Sequence, residues 1–193
     1  MNKKDIIEFF DSCAADWDAE MIIDTDTVNF ILDKADITQN SKVLDVACGT
    51  GVLFPFYFQR KVSEVTGVDI SSEMVKIAQS KFPQENVRIL CGDVENTPFE
   101  SKFDSIVVYN AFPHFPNPEG LIAVLSDLLE EGGTLTVAHG MSRSAIDHHH
   151  EGTASKVSMG LMSEEALAAI FAKHLQVTTV ISNDRMYQVA GRK

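Results

Sequence analysis

Asp45 and Asp69 are the residues from which the chemistry of this chain is first read. Asp45 lies in Val43-Leu44-Asp45-Val46-Ala47-Cys48-Gly49-Thr50-Gly51-Val52-Leu53, an apolar run that enters a turn of small residues and then a predicted helix. Glycines let a backbone pass close to a ligand, and the unpaired N–H groups of a new helix point at it. Asp69 closes a second apolar run, Val65-Thr66-Gly67-Val68, eighteen residues after Gly51. A carboxylate at the tip of the second strand is placed to accept from both hydroxyls of a ribose. The pattern predicts a nucleoside site, with Ala47, Gly49 and Gly51 making backbone contacts.

A second group of residues lies where the reacting ends of cofactor and acceptor would meet. Asn110 follows the fourth predicted strand, at the carboxyl edge of the sheet where ligands gather. His114, four residues on, carries an imidazole, a group type that suits a general base at physiological pH, or shapes the pocket. His139 ends the fifth strand and projects to the same edge. The run Asp147-His148-His149-His150-Glu151 lies between that strand and the last helix. If residues 142–150 form a helix capped by Ser142, Asp147, His150 and Glu151 share a face while the histidines fan over about 200°. In an extended run, His148 and His150 share a side. Convergence of His114, His139, His148 and His150 would suit a transition metal; the other readings are contact with an acceptor by His139, His148, His149 and His150, or a solvated loop.

The elements that must position these residues alternate. Strands are predicted at about 42–46, 64–68, 87–91, 104–109, 133–138, 175–182 and 185–190, with helices near 52–61, 72–82, 118–130 and 163–173. Alternation implies a parallel sheet covered on both faces, an α/β doubly wound fold. The last two strands are joined only by Asn183-Asp184, a hairpin turn, so one of them must run antiparallel. Residues 3–38 form a helical preamble in which Ile6, Phe9, Phe10 and Cys13, then Trp17, then Val28, Ile31 and Leu32 recur at helical spacing.

Composition bounds the reading. The 193 residues fit one domain, 1–193, with 1–38 as a helical cover and 39–193 as the core. No apolar run reaches a membrane span, and the three cysteines, at 13, 48 and 91, lack metal spacing and suggest a reducing, cytoplasmic setting. Twenty-eight acidic against sixteen basic residues give a net charge of −12, with no basic cluster to grip a phosphate backbone. The expected partner is therefore a small molecule, not nucleic acid or membrane.

The motifs carry a family resemblance through most of the chain. Asp45–Gly51 resembles motif I of the class I S-adenosylmethionine (SAM) methyltransferases, in the form found among ubiquinone/menaquinone-methyltransferase-like members, with Ala47 where many carry glycine. Gly67-Val68-Asp69-Ile70-Ser71-Ser72-Glu73-Met74 resembles motif II, Cys91-Gly92-Asp93-Val94 motif III, Phe103–Val108 the fourth strand, and Glu131-Gly132-Gly133-Thr134-Leu135 the turn into the fifth. The resemblance implies a seven-stranded, Rossmann-like sheet with SAM as cofactor and a small-molecule methyl acceptor. It puts Asp45 at the methionine end, directly, through water or by fixing the loop. Asp69 falls on the ribose, Ile70 and Met74 beside the adenine (unless Met74 is simply core), Asp93 on the adenine amino group with the Val94 amide nearby, and Asn110 near the sulfonium. It also makes Phe10-Asp11-Ser12-Cys13-Ala14-Ala15-Asp16-Trp17 part of an N-terminal cover, in which Phe10 and Trp17 touch ligand or merely pack. A non-catalytic SAM-binding or metal-sensing regulator using the 147–151 loop is the alternative. A nicotinamide site is disfavoured by Phe54, which stands where the dinucleotide fingerprint needs its third glycine, and by the C-terminal hairpin.

Overall fold

The computed structural model describes residues 2–150 and 157–193, and only the backbone of Glu20 and of residues 147–150. Seven strands, β1 (Lys42–Val46), β2 (Glu64–Asp69), β3 (Val87–Cys91), β4 (Phe103–Tyr109), β5 (Leu129–His139), β6 (Gln176–Ser182) and β7 (Tyr187–Arg192), form one sheet in the order β3-β2-β1-β4-β5-β7-β6. The pairs among β1 to β5 are parallel, and β7 runs antiparallel between β5 and β6. Central β1 is paired on both sides and covered on both faces, so Val43, Leu44 and Val46 are at most 1% exposed. This explains its unbroken apolar run.

The helices are α1 (Lys3–Cys13), α2 (Trp17–Glu20), α3 (Thr25–Lys34), α4 (Phe54–Gln59), α5 (Ser72–Lys81), α6 (Pro118–Asp127), α7 (Arg143–His150) and α8 (Glu164–Phe171), with a 3-10 turn at Phe112–His114. Side-chain caps set their starts. Ser71 accepts from the Met74 amide, Ser142 from Ala145, and Ser163 from Ala166. The apolar faces of α6 and α8 build one core against the sheet; α3, α4 and α5 build the other.

Three boundaries differ from the sequence reading. The helix expected from residue 52 begins at Phe54, because Gly51 at φ +86° turns the chain away from helical geometry. The helix expected to reach residue 130 stops at Asp127, and β5 starts at Leu129, whose fully buried side chain fills the core beside β4. A register shift between Phe103 and Ser105 absorbs the extra residues before Thr134. The final hairpin turns through Asn183–Met186, not two residues, since the Asn183 carboxamide accepts from the Arg185 and Met186 amides.

Candidate functional site

The glycine turn leaves β1 through three left-handed residues, Ala47 (φ +54°), Gly49 (φ +54°) and Gly51 (φ +86°). A Cβ on Gly51 would stand 2.6 Å from the Phe82 ring, so only glycine fits there. Under the turn, the Phe54 ring and the Cys48 sulfur press on β2 at Gly67, where a Cβ would come within 2.8 Å of each. Phe54 is fully buried in that wedge.

Asp69 ties the two strand ends together. One carboxylate oxygen accepts from the Gly49 amide at 2.8 Å, the other from the Ser71 amide at 2.8 Å. Burial raises its pKa, those amides oppose the rise, and nearby Asp11 adds to it. Ser71, not Asp69, caps α5. A carboxylate has about four lone-pair positions, so two accepted bonds leave capacity for a diol.

Asp45 is 2% exposed, and its Oδ2 has no hydrogen-bond partner among the described residues. Burial pushes its pKa up to about 8; the Tyr57 hydroxyl, close by but outside good hydrogen-bond geometry, offsets part of this, and Asp69 adds repulsion. An orphaned, buried carboxyl oxygen beside a turn of left-handed residues fits a polar ligand end that carries donors. The site therefore suits the methionine end of SAM on Asp45 and the turn, with the ribose on Asp69.

Asp93 lies at the end of β3, where its carboxylate is held by Lys3 of α1, by the Asn96 side chain at 2.6 Å and by the Glu95 amide. Burial would raise its pKa, but Lys3 and Asn96 together hold it below the usual carboxylate value. Val94 is buried in the core, Met74 is 1% exposed on the first turn of α5, and Ile70 packs with Ile6, Phe9, Phe10 and Val157. Asn110 adopts φ +53°, and its side chain accepts from the Gly140 amide at 3.0 Å, bracing the ends of β4 and β5 together.

The N-terminal segment crosses this edge. Asp11 accepts from the Ser71 hydroxyl at 2.6 Å and from the Glu73 amide; Asp18 accepts from the Thr50 hydroxyl and pairs with Lys81 at 2.7 Å. Next to Asp11, the Phe10 ring packs edge-on against Trp17 (5.7 Å) and against His114 (5.0 Å). His114 Nδ1 lies 2.7 Å from the Val157 carbonyl. Because a carbonyl only accepts, Nδ1 carries the proton in neutral His114 and Nε2 is the basic nitrogen. His139, 2% exposed, packs edge-on against Tyr187, its partner across the β5–β7 ladder.

Among the described residues, no three His, Cys, Asp or Glu side chains are grouped to hold a metal ion. The backbone from Arg143 to His150 is helical, as the Ser142 cap predicts. The side chains of Asp147, His148, His149 and His150, and all of Glu151, lie outside the described residues. Sequence reasoning missed Lys3, Asp11, Asp18, Tyr57 and the Val157 carbonyl. Lys3, Asp11 and Asp18 carry the same sequence signal as solvated helix faces, Tyr57 that of an ordinary core aromatic, and the carbonyl has no side-chain signal.

Residues 44–137 match the family model of a methyltransferase domain. The sheet order and the placement of the motif residues are in keeping with that match, and make the chain similar to the SAM-dependent methyltransferases. Malonyl-[acyl-carrier protein] O-methyltransferase of Acetivibrio thermocellus is 29% identical over 138 residues, 70% of this chain and 49% of that protein. The chain spans about half the length of the curated relatives it matches. A chain of the complex between the Haloferax volcanii Trm112 methyltransferase activator and a methyltransferase superposes with a TM-score of 0.80 at 19% identity, covering 95% of this chain and 96% of that one. The N-methyltransferase NodS of Bradyrhizobium japonicum, in complex with S-adenosyl-L-homocysteine, superposes with a TM-score of 0.76 at 13% identity, covering 100% of this chain and 99% of that one. At these identities the two structures show likeness of fold. Among the described residues, no helix is long and apolar enough to cross a membrane.

Proposed function

We propose that this protein transfers a methyl group from SAM to a small-molecule acceptor by in-line displacement. The observation that carries the reading is Asp69, a buried carboxylate at the tip of β2 that holds the Gly49 amide of the turn and keeps lone pairs for a ribose. When bound, SAM supplies an electrophilic methyl carbon on a positively charged sulfur, which leaves as a thioether. The protein's task is then to position and to exclude water. Ala47, Gly49 and Gly51 line the methionine end beside Asp45, Asp69 holds the ribose, and Asp93 with the Val94 amide receives the adenine beside Ile70 and Met74. Asn110 fixes the floor at the β4–β5 edge.

On the acceptor side, Phe10, Trp17 and His114 form the ceiling, and residues 3–20 cover the cofactor. His114 Nε2 takes the proton released by an oxygen or nitrogen acceptor. His139 and the run His148–His150 belong to the acceptor side, and the chain's strong negative charge favours a neutral or cationic small molecule over nucleic acid.

The test is calorimetry with SAM, S-adenosylhomocysteine and NAD, followed by a methyl-transfer screen. Asp69→Ala should weaken SAM at least tenfold, since a hydrogen bond to a charged acceptor contributes roughly 1.5–3 kcal/mol. A thermal melt checks that the turn it braces still folds. An unchanged dissociation constant in a folded variant removes Asp69 from the site.

A further inference from the structure

Lys3 stands where helix chemistry disfavours a cation. It opens α1 directly after the Asn2 cap, and the amino end of a helix carries partial positive charge. Its compensation is distant in sequence. The Lys3 ammonium donates to the Asp93 carboxylate, 90 residues on, and to Glu95 at 3.0 Å. The side chains of Asp93 and Glu95 are 19% and 18% exposed, so the ammonium meets them where water is partly excluded.

The contacts on Asp93 are divided between its two oxygens. Oδ2 accepts from Lys3 and, at 2.6 Å, from the Asn96 carboxamide. Among the described residues, Oδ1 accepts only from the Glu95 amide, at 3.2 Å. Each carboxylate oxygen has about two lone-pair positions, so Oδ2 is filled and Oδ1 keeps one. Clamped at Oδ2 from two elements, the carboxylate is held against turning. Burial works against its charge, yet Lys3 and Asn96 hold the carboxyl below its usual value. An ionised carboxylate accepts and cannot donate, so the open position on Oδ1 suits an N–H group and repels an oxygen.

We propose that Lys3 is a positioning residue for the base of the cofactor: by clamping Oδ2 it aims Oδ1 of Asp93 at an exocyclic amino group, and so makes the site select a 6-amino purine over a 6-oxo one. This role rests on the assignment of Asp93 to the adenine. A 6-oxo purine sets an oxygen against the same lone pair. Because Lys3 belongs to α1, recognition of the base is complete only when the N-terminal helix is docked.

S-adenosylhomocysteine and its deaminated form, S-inosylhomocysteine, separate this role from plain anchoring. Both are titrated calorimetrically into wild type, Lys3→Met, Lys3→Arg, Asp93→Asn and the Lys3→Met/Asp93→Asn double variant, with thermal melts as folding controls. The Lys3 side chain is 41% exposed, so its replacement leaves the core intact. Wild type should prefer the adenosyl ligand by about tenfold or more. Lys3→Met should lose about 3- to 10-fold for that ligand and less than about twofold for the inosyl one, while Lys3→Arg keeps most of the preference. Asp93→Asn, which can turn a donor toward the base, should abolish the preference. The double variant should bind no more weakly than Asp93→Asn, since both changes break one interaction. Equal losses for both ligands in Lys3→Met, or additive losses in the double variant, would overturn the positioning role and leave Lys3 a simple anchor of α1. No preference in wild type, or one untouched by Asp93→Asn, would remove Asp93 from the base and the role of Lys3 with it, while the ribose assignment is still judged by Asp69→Ala.

Discussion

Asp45 holds a proton that most carboxyl groups have lost at neutral pH. Its pKa, pushed up to about 8 mainly by burial, lies far above the unfolded value near 3.9. Between those two values the native protein binds a proton that the unfolded chain does not, so stability falls as pH rises from about 4 to about 8. Asp45→Asn removes the titrating group. In urea denaturation it should be more stable than wild type above pH 8, with the gap closing as pH falls toward 4; a gap that does not vary with pH would refute the assignment. Ala47 makes a different point at the same scale. A Cβ at φ +54° is strained, and glycine relieves the strain at the cost of unfolded-state entropy. Ala47→Gly should leave the turn intact and raise stability by about 0.5 kcal/mol, read from the same denaturation curves.

The N-terminal element is held by three polar anchors, Lys3 on Asp93, Asp11 on Ser71 and the α5 N-terminus, and Asp18 on Thr50 and Lys81. Partly exposed polar contacts are individually weak, and among residues 3–19 only Ile6 and Ala14 are buried, so the segment should open locally at modest cost. Binding of S-adenosylhomocysteine should therefore slow amide exchange in residues 3–20, and Lys3→Ala should restore faster exchange at its N-terminal end. Equal exchange with and without ligand would mark the segment as ordinary packing. Little of this was visible in the sequence. The sheet strands, the cap at Ser142 and the antiparallel hairpin were legible because period and capping chemistry are local. Lys3, Asp11 and Asp18 were not, because a charged residue on the outer face of an amphipathic helix looks the same whether it meets water or a partner 60 or 90 residues away. The start of β5 was missed for a related reason: the pattern of Leu128-Leu129 fits a helix end as well as a strand start, and the pocket beside β4 decides.

At the scale of the molecule, the sheet divides the work. The ends of β1, β2 and β3 carry most of the residues assigned to the cofactor, and His114 and His139 lie at the ends of β4 and β5. Mutations on the second side should then act on turnover alone. His114→Ala should leave the SAM dissociation constant within about twofold. On any oxygen or nitrogen acceptor found active, it should lower the rate about 100-fold and abolish the acidic limb of the pH profile. A matching loss of SAM affinity would show that the two sides are not separate.

The anchors of the cover also dictate an order of assembly. Lys3 and Asp93 are 90 residues apart, Asp11 and Ser71 60, and Asp18 and Thr50 32. Each contact closes a long loop, and none has a partner surface until β1, β2 and β3 have paired. The segment is synthesised ahead of the strands it rests on, yet it docks after them. In refolding, fluorescence of Trp17 should therefore report a step later than sheet formation, and substitutions at Lys3 or Asp11 should speed unfolding while leaving the folding rate nearly unchanged. The cover would then be the last part of the protein to arrive and the first to leave.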